Sequence, residues 1–541
     1  MSIEIKNYRL SPNTLHTIAL VIVLLIGWII RASAIFSHDL IPGINGGYYP
    51  VQARSILRTG WLAIPDFPLL FYLQALLGMF LSPAMMLENA ILTSSRLIDT
   101  IFPVLSAIPI YLFSRTFHTR GSSSHSIIAT LLVGLLAVGS SSMLRMAGDF
   151  QKNAFALPFF LFYTYFLYLS FKNRDRKSIT LAVIFFAIVC LTHLGVAAMI
   201  LLFTVCYIFI DLVIHPNRQR IIQIASTLIV ILFFTLVCVS FYDPVRVRRL
   251  LEVVLNPGRL FTHSVLMLWL SGAGGEPLIE IEGLLLGNFL GILGLLTVFP
   301  SRSEMDSATK TLLLSSSLCA LFLASPLIHA DLSYRLTLMA YVPGLISLTY
   351  WVVRHQKGLI VGVLITILVL LHTITTLTHN QPSLTRAEYE ELQSFKNDLP
   401  EGKTLVITRH GLEWWIAWTM ETKITNNPQI AMRIWDNYDT VFRVAEINSN
   451  PVKDGNPPRS ASRPPRRKPP PNRLPGHPPG QKPGPGKVPF FANPNQRSIE
   501  TSLEYNEEAD TFCVLRTGKY FKLIRFDHFP NNPSRNGEQK D

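Results

Sequence analysis

Eleven long apolar segments set the terms for this 541-residue chain, centred near residues 14–36, 97–115, 126–146, 154–171, 179–193, 195–214, 221–241, 284–300, 310–328, 336–353 and 358–378. In a bilayer every backbone N–H and C=O needs a partner within the segment, so each such run reads as a helix. The composition agrees: 49% of residues are hydrophobic, 15% are charged, and mean hydropathy is +0.33. The reading is an α-helical polytopic membrane protein of about eleven transmembrane helices with one small soluble α/β domain. The transmembrane domain is expected over 1–378 and an extracytoplasmic soluble domain over 379–541. The first run, Leu15 to Ile30, is read as an uncleaved span because it is long for the apolar region of a signal peptide.

Orientation follows from Lys and Arg in the short loops. With the N-terminus inside, the inner segments hold fourteen of them, Lys6, Arg120, Arg176 and Lys357 among them, in roughly fifty residues, against about ten in roughly 120 outside. This bias requires residues 67–86 to lie along the surface rather than cross. The formal charge of +13 is mostly local: ten Lys/Arg and one acid fall within 451–497, leaving +4 elsewhere. A basic pI therefore points to no nucleic-acid partner. Cys190, Cys206, Cys238 and Cys319 lie in apolar segments and Cys513 stands apart, which gives no disulfide framework and no metal spacing.

The first outer loop, placed at 37–96, is too rich in Gly, Pro and polar residues to span. It contains helix-period stretches: Ala53, Ile56 and Leu57 share one face, with Arg54 and Arg58 on another, and Phe67 to Phe80 is apolar but short. Both read as interfacial helices. A loop that holds carboxylates at a membrane face between two such helices can hold a lipid-linked substrate. Given this topology Asp39, Asn45, Asp66, Asp149, His193, Asp331 and Arg335 all face outward, as does the loop 242–283 with Arg246, Arg248, Arg249, Glu276, Glu280 and Glu282.

Beyond Thr378 the pattern turns to short strands and helices. Strands are expected at Leu405–Ile407, Thr440–Ile447, Phe512–Arg516 and Tyr520–Phe526, the last two joined through Thr517-Gly518-Lys519, with a helix over Leu412–Met420. Residues 451–497 include fifteen prolines and almost no aliphatic side chains, so this Pro/Arg-rich insert is read as disordered or polyproline II. Trp414, Trp415 and Trp418 are either core or membrane anchors, or platforms for sugar rings with Glu413 beside them.

Several residues carry two readings. Asp149 is either the cap of the helix that follows or a carboxylate in an outer cavity. Asp66 is a cap ahead of Pro68 or a catalytic acid, and Asp39 is interfacial or catalytic. His193 is a packed interfacial residue or a substrate contact, and Arg335 snorkels or clamps a phosphate.

The order of certain motifs resembles a known family. One span is followed by Tyr48-Tyr49, Ala53-Arg54, Gly60, the run Pro68-Leu69-Leu70-Phe71-Tyr72-Leu73-Gln74-Ala75, then Arg96-Leu97 and Asp149. This is similar to the GT-C superfamily of integral membrane glycosyltransferases, most of all its protein O-mannosyltransferase and aminoarabinose transferase branch. The resemblance covers about 14–170. It departs where the family carries an acidic pair before the tyrosine: here stand Asn45-Gly46. The resemblance implies transfer of a sugar from a polyprenyl-phosphate donor to a protein, lipid or glycan acceptor at the outer face of a plasma or inner membrane, among membrane lipids and without nucleic acid. It implies Asp149, Asp66 and Asp39 as candidate catalytic carboxylates and Asn45, Tyr48, Arg54, Lys152, His193 and Arg335 as candidate substrate contacts. No cofactor is required by it, and a divalent metal stays open. The competing reading is a non-catalytic sugar-lipid binder or scaffold on the same fold. A transporter is disfavoured by the absence of an internal repeat of spans.

Overall fold

The computed structural model describes residues 11–118, 123–215, 233–237, 239–242, 255–271, 280–299, 305–426, 434, 437–447 and 512–526. Contacts divide the chain into two units, Met1–Arg386 and Ala387–Asp541.

The first unit is a helical bundle. Among the described residues, eight helices are long and apolar enough to cross a membrane: Asn13–Phe36, Leu87–Thr116, Ser124–Arg145, Gln151–Asn173, Leu194–Ile214, Ile281–Val298, Ala330–Arg354 and Gln356–His379. Two more expected spans form shorter helices, Arg176–Cys190 and Ser307–Leu323. The remaining one, 221–241, falls partly outside the described residues, and its later part belongs to the apolar helix Phe233–Tyr242. Residues 87–96, expected in the first loop, are helical. They open α4 (Leu87–Ile101), which bends at Pro103 and continues as α5 (Ala107–Thr116). Proline removes a helix hydrogen bond and crowds the preceding turn, which accounts for the 3-10 step there.

Lipid-facing and protein-facing sides separate cleanly. Along α1 (Pro12–Phe36), Val21, Leu25, Trp28 and Ile29 are exposed while Val23, Gly27 and Arg31 face the bundle. Ala330–Arg354 is buried along most of its length and forms the centre of the bundle. Its closest neighbour is Ile281–Val298, whose Gly283, Gly287, Gly291 and Gly294 make a small-residue stripe. A methyl group at Gly287 would come within 2.9 Å of the Ala340 Cβ and 3.0 Å of the Ala324 Cβ. Bare backbone there lets three helices close on one another, the packing mode that apolar solvent favours.

Between α1 and α4 the chain forms two short helices. The first, α2 (Tyr48–Thr59), ends at Gly60 in a left-handed conformation; the second, α3 (Leu69–Leu81), has 13 residues. At about 1.5 Å per residue α3 falls well short of a bilayer core. Arg54, expected on another face of α2 from Ala53 and Ile56, is buried as they are.

Among the described residues the second unit contains a five-stranded sheet in the order β2-β1-β3-β5-β4. The strands are β1 (Thr404–Ile407), β2 (Lys423–Thr425), β3 (Thr440–Glu446), β4 (Phe512–Thr517) and β5 (Phe521–Phe526). β1 pairs in parallel with β2 and β3, while β5 runs antiparallel to β3 and β4. The sequence pattern missed β2, which has three residues and no apolar run. Trp415 and Trp418 are core residues of the helix Glu413–Met420, with the Trp418 indole donating to the Tyr389 hydroxyl at 3.1 Å; Trp414 is half-buried. The Pro/Arg-rich insert, 451–497, lies outside the described residues.

Replacing Gly287 by Leu is expected to destabilise the bundle by about 1–3 kcal/mol, the usual scale of overpacking. Thermal unfolding of the purified protein in detergent checks this; an unchanged midpoint would contradict the close approach.

Candidate functional site

A buried ion pair organises one end of the bundle. Arg31, near the end of α1, and Asp99, on α4, are both fully shielded, with Nη2 of Arg31 2.6 Å from Oδ1 of Asp99. The guanidinium also donates from Nε to the Asp99 carbonyl and from Nη1 to the Met143 carbonyl at 2.8 Å. Met143 belongs to α7 (Ser141–Arg145), just ahead of the loop 146–150. The second Asp99 oxygen accepts the Gly148 N–H at 2.7 Å. One pair thus joins α1, α4, α7 and the residue before Asp149. Each side chain is an isolated charge within an apolar segment, a signal that could have drawn attention to both.

The loop 146–150 meets the first loop face to face. Asp149 accepts two hydrogen bonds at Oδ1, from the Asn45 backbone N–H at 2.9 Å and the Asn45 side-chain amide at 2.6 Å. The Tyr49 hydroxyl donates to the Asp149 carbonyl at 3.2 Å. Two glycines make this approach possible. Gly43 has φ +87°, and a Cβ there would sit 2.6 Å from the Asp149 Cβ. Gly148 has φ +75° and packs on Pro42, where a Cβ would strike the ring at 2.9 Å. Gly43 N–H also bonds the Gln381 carbonyl at 3.0 Å, bringing in the end of Gln356–His379. The capping reading of Asp149 does not hold: the helix that follows, α8 (Gln151–Asn173), has Phe150 at its cap position without a side-chain cap.

Beside this contact lies a second cluster. Asp66 is 2% exposed, and its Oδ2 takes both the Lys152 ammonium and the Tyr48 hydroxyl. Oδ1 accepts the Phe67 N–H at 2.8 Å. Gln52 donates to the Tyr48 oxygen at 3.1 Å and exchanges hydrogen bonds with the Ile64 backbone at 2.9 and 3.2 Å. Lys152 lies 5.6 Å from the Tyr48 ring centre and 5.5 Å from that of Phe71. Burial, with the Asp66 carboxylate adding to it, pushes the Tyr48 hydroxyl well above its ordinary value, so it stays protonated and donates. Burial and the Asp149 and Asp99 carboxylates do the same for Tyr49. Here too the capping reading fails, since Pro68 occupies the cap position of α3 with no side-chain cap. Gln74, Ser95 and Gln151 form a buried polar link behind the cluster, with Gln74 Nε2 2.8 Å from Gln151 Oε1.

The other candidates sit around these two groups. Asp39 is exposed, and its backbone carbonyl, with that of His38, is held by Arg96. His193 caps α10 (Leu194–Ile214), its Nδ1 accepting the Val196 N–H at 3.2 Å. Arg335 is exposed, with its guanidinium 5.8 Å from the centre of the Phe150 ring, next to Asp149. Glu280, 1% exposed, pairs with Arg145 at 2.9 Å, and burial pushes its carboxyl up against the pull of that arginine. Glu282 meets His372 at 2.6 Å. Of the loop expected at 242–283, Arg246, Arg248, Arg249 and Glu276 lie outside the described residues. Among the described residues no group of three or more His, Cys, Asp or Glu could hold a metal ion.

Arg31→Met is expected to cost about 3–5 kcal/mol, because it strands a buried Asp99 charge. The double variant Arg31→Met/Asp99→Leu should recover part of that loss. Detergent-solubilised thermal unfolding measures both, and equal destabilisation by the single and double variants would contradict the ion-pair account.

No family model matches the chain, and no curated protein sequence does. Solved structures do. ArnT from Cupriavidus metallidurans bound to undecaprenyl phosphate aligns with a TM-score of 0.50 at 10% identity, over 94% of this chain and 97% of that one. The apo state of the same protein aligns at 0.46 and 11% identity, over 95% and 98%. ArnT is an aminoarabinose transferase of the GT-C class. Over nearly its whole length, then, the chain shares the fold of the undecaprenyl phosphate-bound ArnT structure.

Proposed function

We propose that the protein transfers a sugar from a polyprenyl-phosphate carrier to an acceptor at the outer face of a membrane. The observation that carries this reading is the convergence of Asp149 and Asn45 with the buried Asp66–Tyr48–Lys152 cluster at one end of a GT-C bundle. The fold it shares with a protein bound to undecaprenyl phosphate supports a lipid-linked donor. Asp149 is the general base that takes the proton from the acceptor hydroxyl. The two donors from Asn45 stabilise its charged form and fix its orientation. Asp66 is a positioning residue: its carboxylate is committed to Lys152, Tyr48 and the Phe67 N–H. Lys152 and Arg335 supply positive charge for the leaving phosphate.

This division of labour changes the meaning of Asn45. At 2.6 Å from the Asp149 oxygen, a second carboxylate would compete for one proton, whereas an amide donates. Asp149→Asn should lower transfer from a labelled polyprenyl-phosphate sugar by about 10²-fold or more, the scale for losing a positioned base. Asn45→Asp should raise the pKa of the coupled pair, so that its transfer rate keeps rising with pH where the parent rate is already flat. Donor binding without turnover in the parent protein would favour the non-catalytic reading. A pH profile unaltered by Asn45→Asp would contradict the pairing.

The same reading places the first loop outside and the α8–α9 connection inside, as the distribution of Lys and Arg supports; α9 is Arg176–Cys190. Trp61 and Lys177 are both exposed. In a Cys513→Ser background, which removes the exposed native thiol of the tail, Trp61→Cys should react with an impermeant thiol reagent on intact cells and Lys177→Cys only after permeabilisation. The reverse pattern would invert the topology.

A further inference from the structure

The Ala387–Asp541 unit contains a cavity that the transfer reaction does not use. It opens at the amino ends of β1 and β2, has a volume of about 550 Å³, and is lined in part by Lys396, Lys403, Lys423, Glu421, Met420 and Tyr438. That size falls within the ~300–1,000 Å³ range of small-molecule sites and far exceeds what a bare inorganic anion needs.

Its charge is unbalanced. Lys396 is neutralised by Glu421 at 2.8 Å. Neither the Lys403 nor the Lys423 ammonium pairs with a carboxylate among the described residues. Asp439, which follows the lining residue Tyr438, is engaged elsewhere: it accepts the Lys403 backbone N–H at 2.8 Å, while its own N–H bonds the Lys403 carbonyl at 2.9 Å. This two-way lock fixes the turn that projects Lys403. Gly402 precedes it at φ +121°, where a Cβ would lie 2.8 Å from the Asp439 carboxylate. The opposite rim is also built at a cost. Glu421 adopts a left-handed backbone at φ +54°, uncommon for a residue with a side chain, and from there reaches Lys396. Met420 and Tyr438 add apolar surface suited to the C–H face of a pyranose, and Asn437 and Thr422 add hydroxyl partners.

We propose that this cavity binds an anionic saccharide, a sugar bearing a phosphate or carboxylate, with Lys403 and Lys423 holding the charge. The site is independent of the transfer reaction and stands whether or not the membrane unit turns over.

Calorimetric titration of the full-length protein in neutral detergent with glucose 6-phosphate tests it, with glucose, inorganic phosphate and glycerol 3-phosphate as separate titrants. The expected result is saturable binding of glucose 6-phosphate that weakens as salt is added. It should fall at least tenfold in Lys403→Ala/Lys423→Ala and persist in Lys403→Arg/Lys423→Arg. Both lysines are exposed, so these variants leave the core of the unit intact. Absent binding, or binding unaffected by the double alanine variant, would overturn the proposal. Equal affinity for glucose would remove the anionic element. Equal affinity for inorganic phosphate would reduce the cavity to a simple anion site, and tighter glycerol 3-phosphate binding would point to a lipid headgroup; either result overturns the saccharide assignment.

Discussion

Everything at the loop-bearing end of the bundle depends on Arg31 and Asp99. A buried ion pair is a poor source of net stability, because desolvating two charges offsets most of their attraction. What this pair supplies is geometry. Arg31 spends its donors on Asp99 and on the carbonyl of Met143, and Asp99 passes its second oxygen to Gly148. Three helices and a loop are thereby locked in register one residue from Asp149. Removing either partner would leave the other uncompensated, so the arrangement is all-or-none.

From that anchor the site is assembled by contact between loops. Gly43 and Gly148 are the positions where a side chain would hold the loops apart, and their left-handed backbones place Asn45 against Asp149. An amide opposite a carboxylate gives a hydrogen-bonded pair that survives at neutral pH without sharing a proton. Where the resembling family carries an acidic pair before the tyrosine, this chain carries Asn45-Gly46, and Asn45 is a neutral donor to Asp149. The second carboxylate, Asp66, is kept apart by its commitment to Lys152 and Tyr48.

Much of the fold was legible because lipid exposure writes long apolar runs into the sequence. Helix Gln151–Asn173 lies close to the span expected at 154–171. The first expected strand of the tail, Leu405–Ile407, forms within Thr404–Ile407. Proximity was harder to read. Asp149 and Asn45 are 104 residues apart, and no local pattern distinguishes a cap from a cross-loop partner. The capping readings of Asp149 and Asp66 failed for that reason: Asp is favoured at caps, but tertiary contacts claimed both side chains. Helical spacing set Arg54 on a face apart from Ala53 and Ile56, and the surrounding chain buries all three. Strand β2 was invisible because three residues, Lys423 to Thr425, offer no periodicity.

The central claim is that Asp99 acts through Asp149, and a double-mutant cycle on sugar transfer tests it most directly. Asp99→Asn, Asp149→Asn and their combination would be assayed with the same labelled polyprenyl-phosphate donor, after each is shown to remain folded in detergent. If Asp99 serves to hold the loop that presents Asp149, the combined variant should turn over no more slowly than Asp149→Asn alone. Fully multiplicative losses would mean that the two residues contribute independently, and would contradict the account.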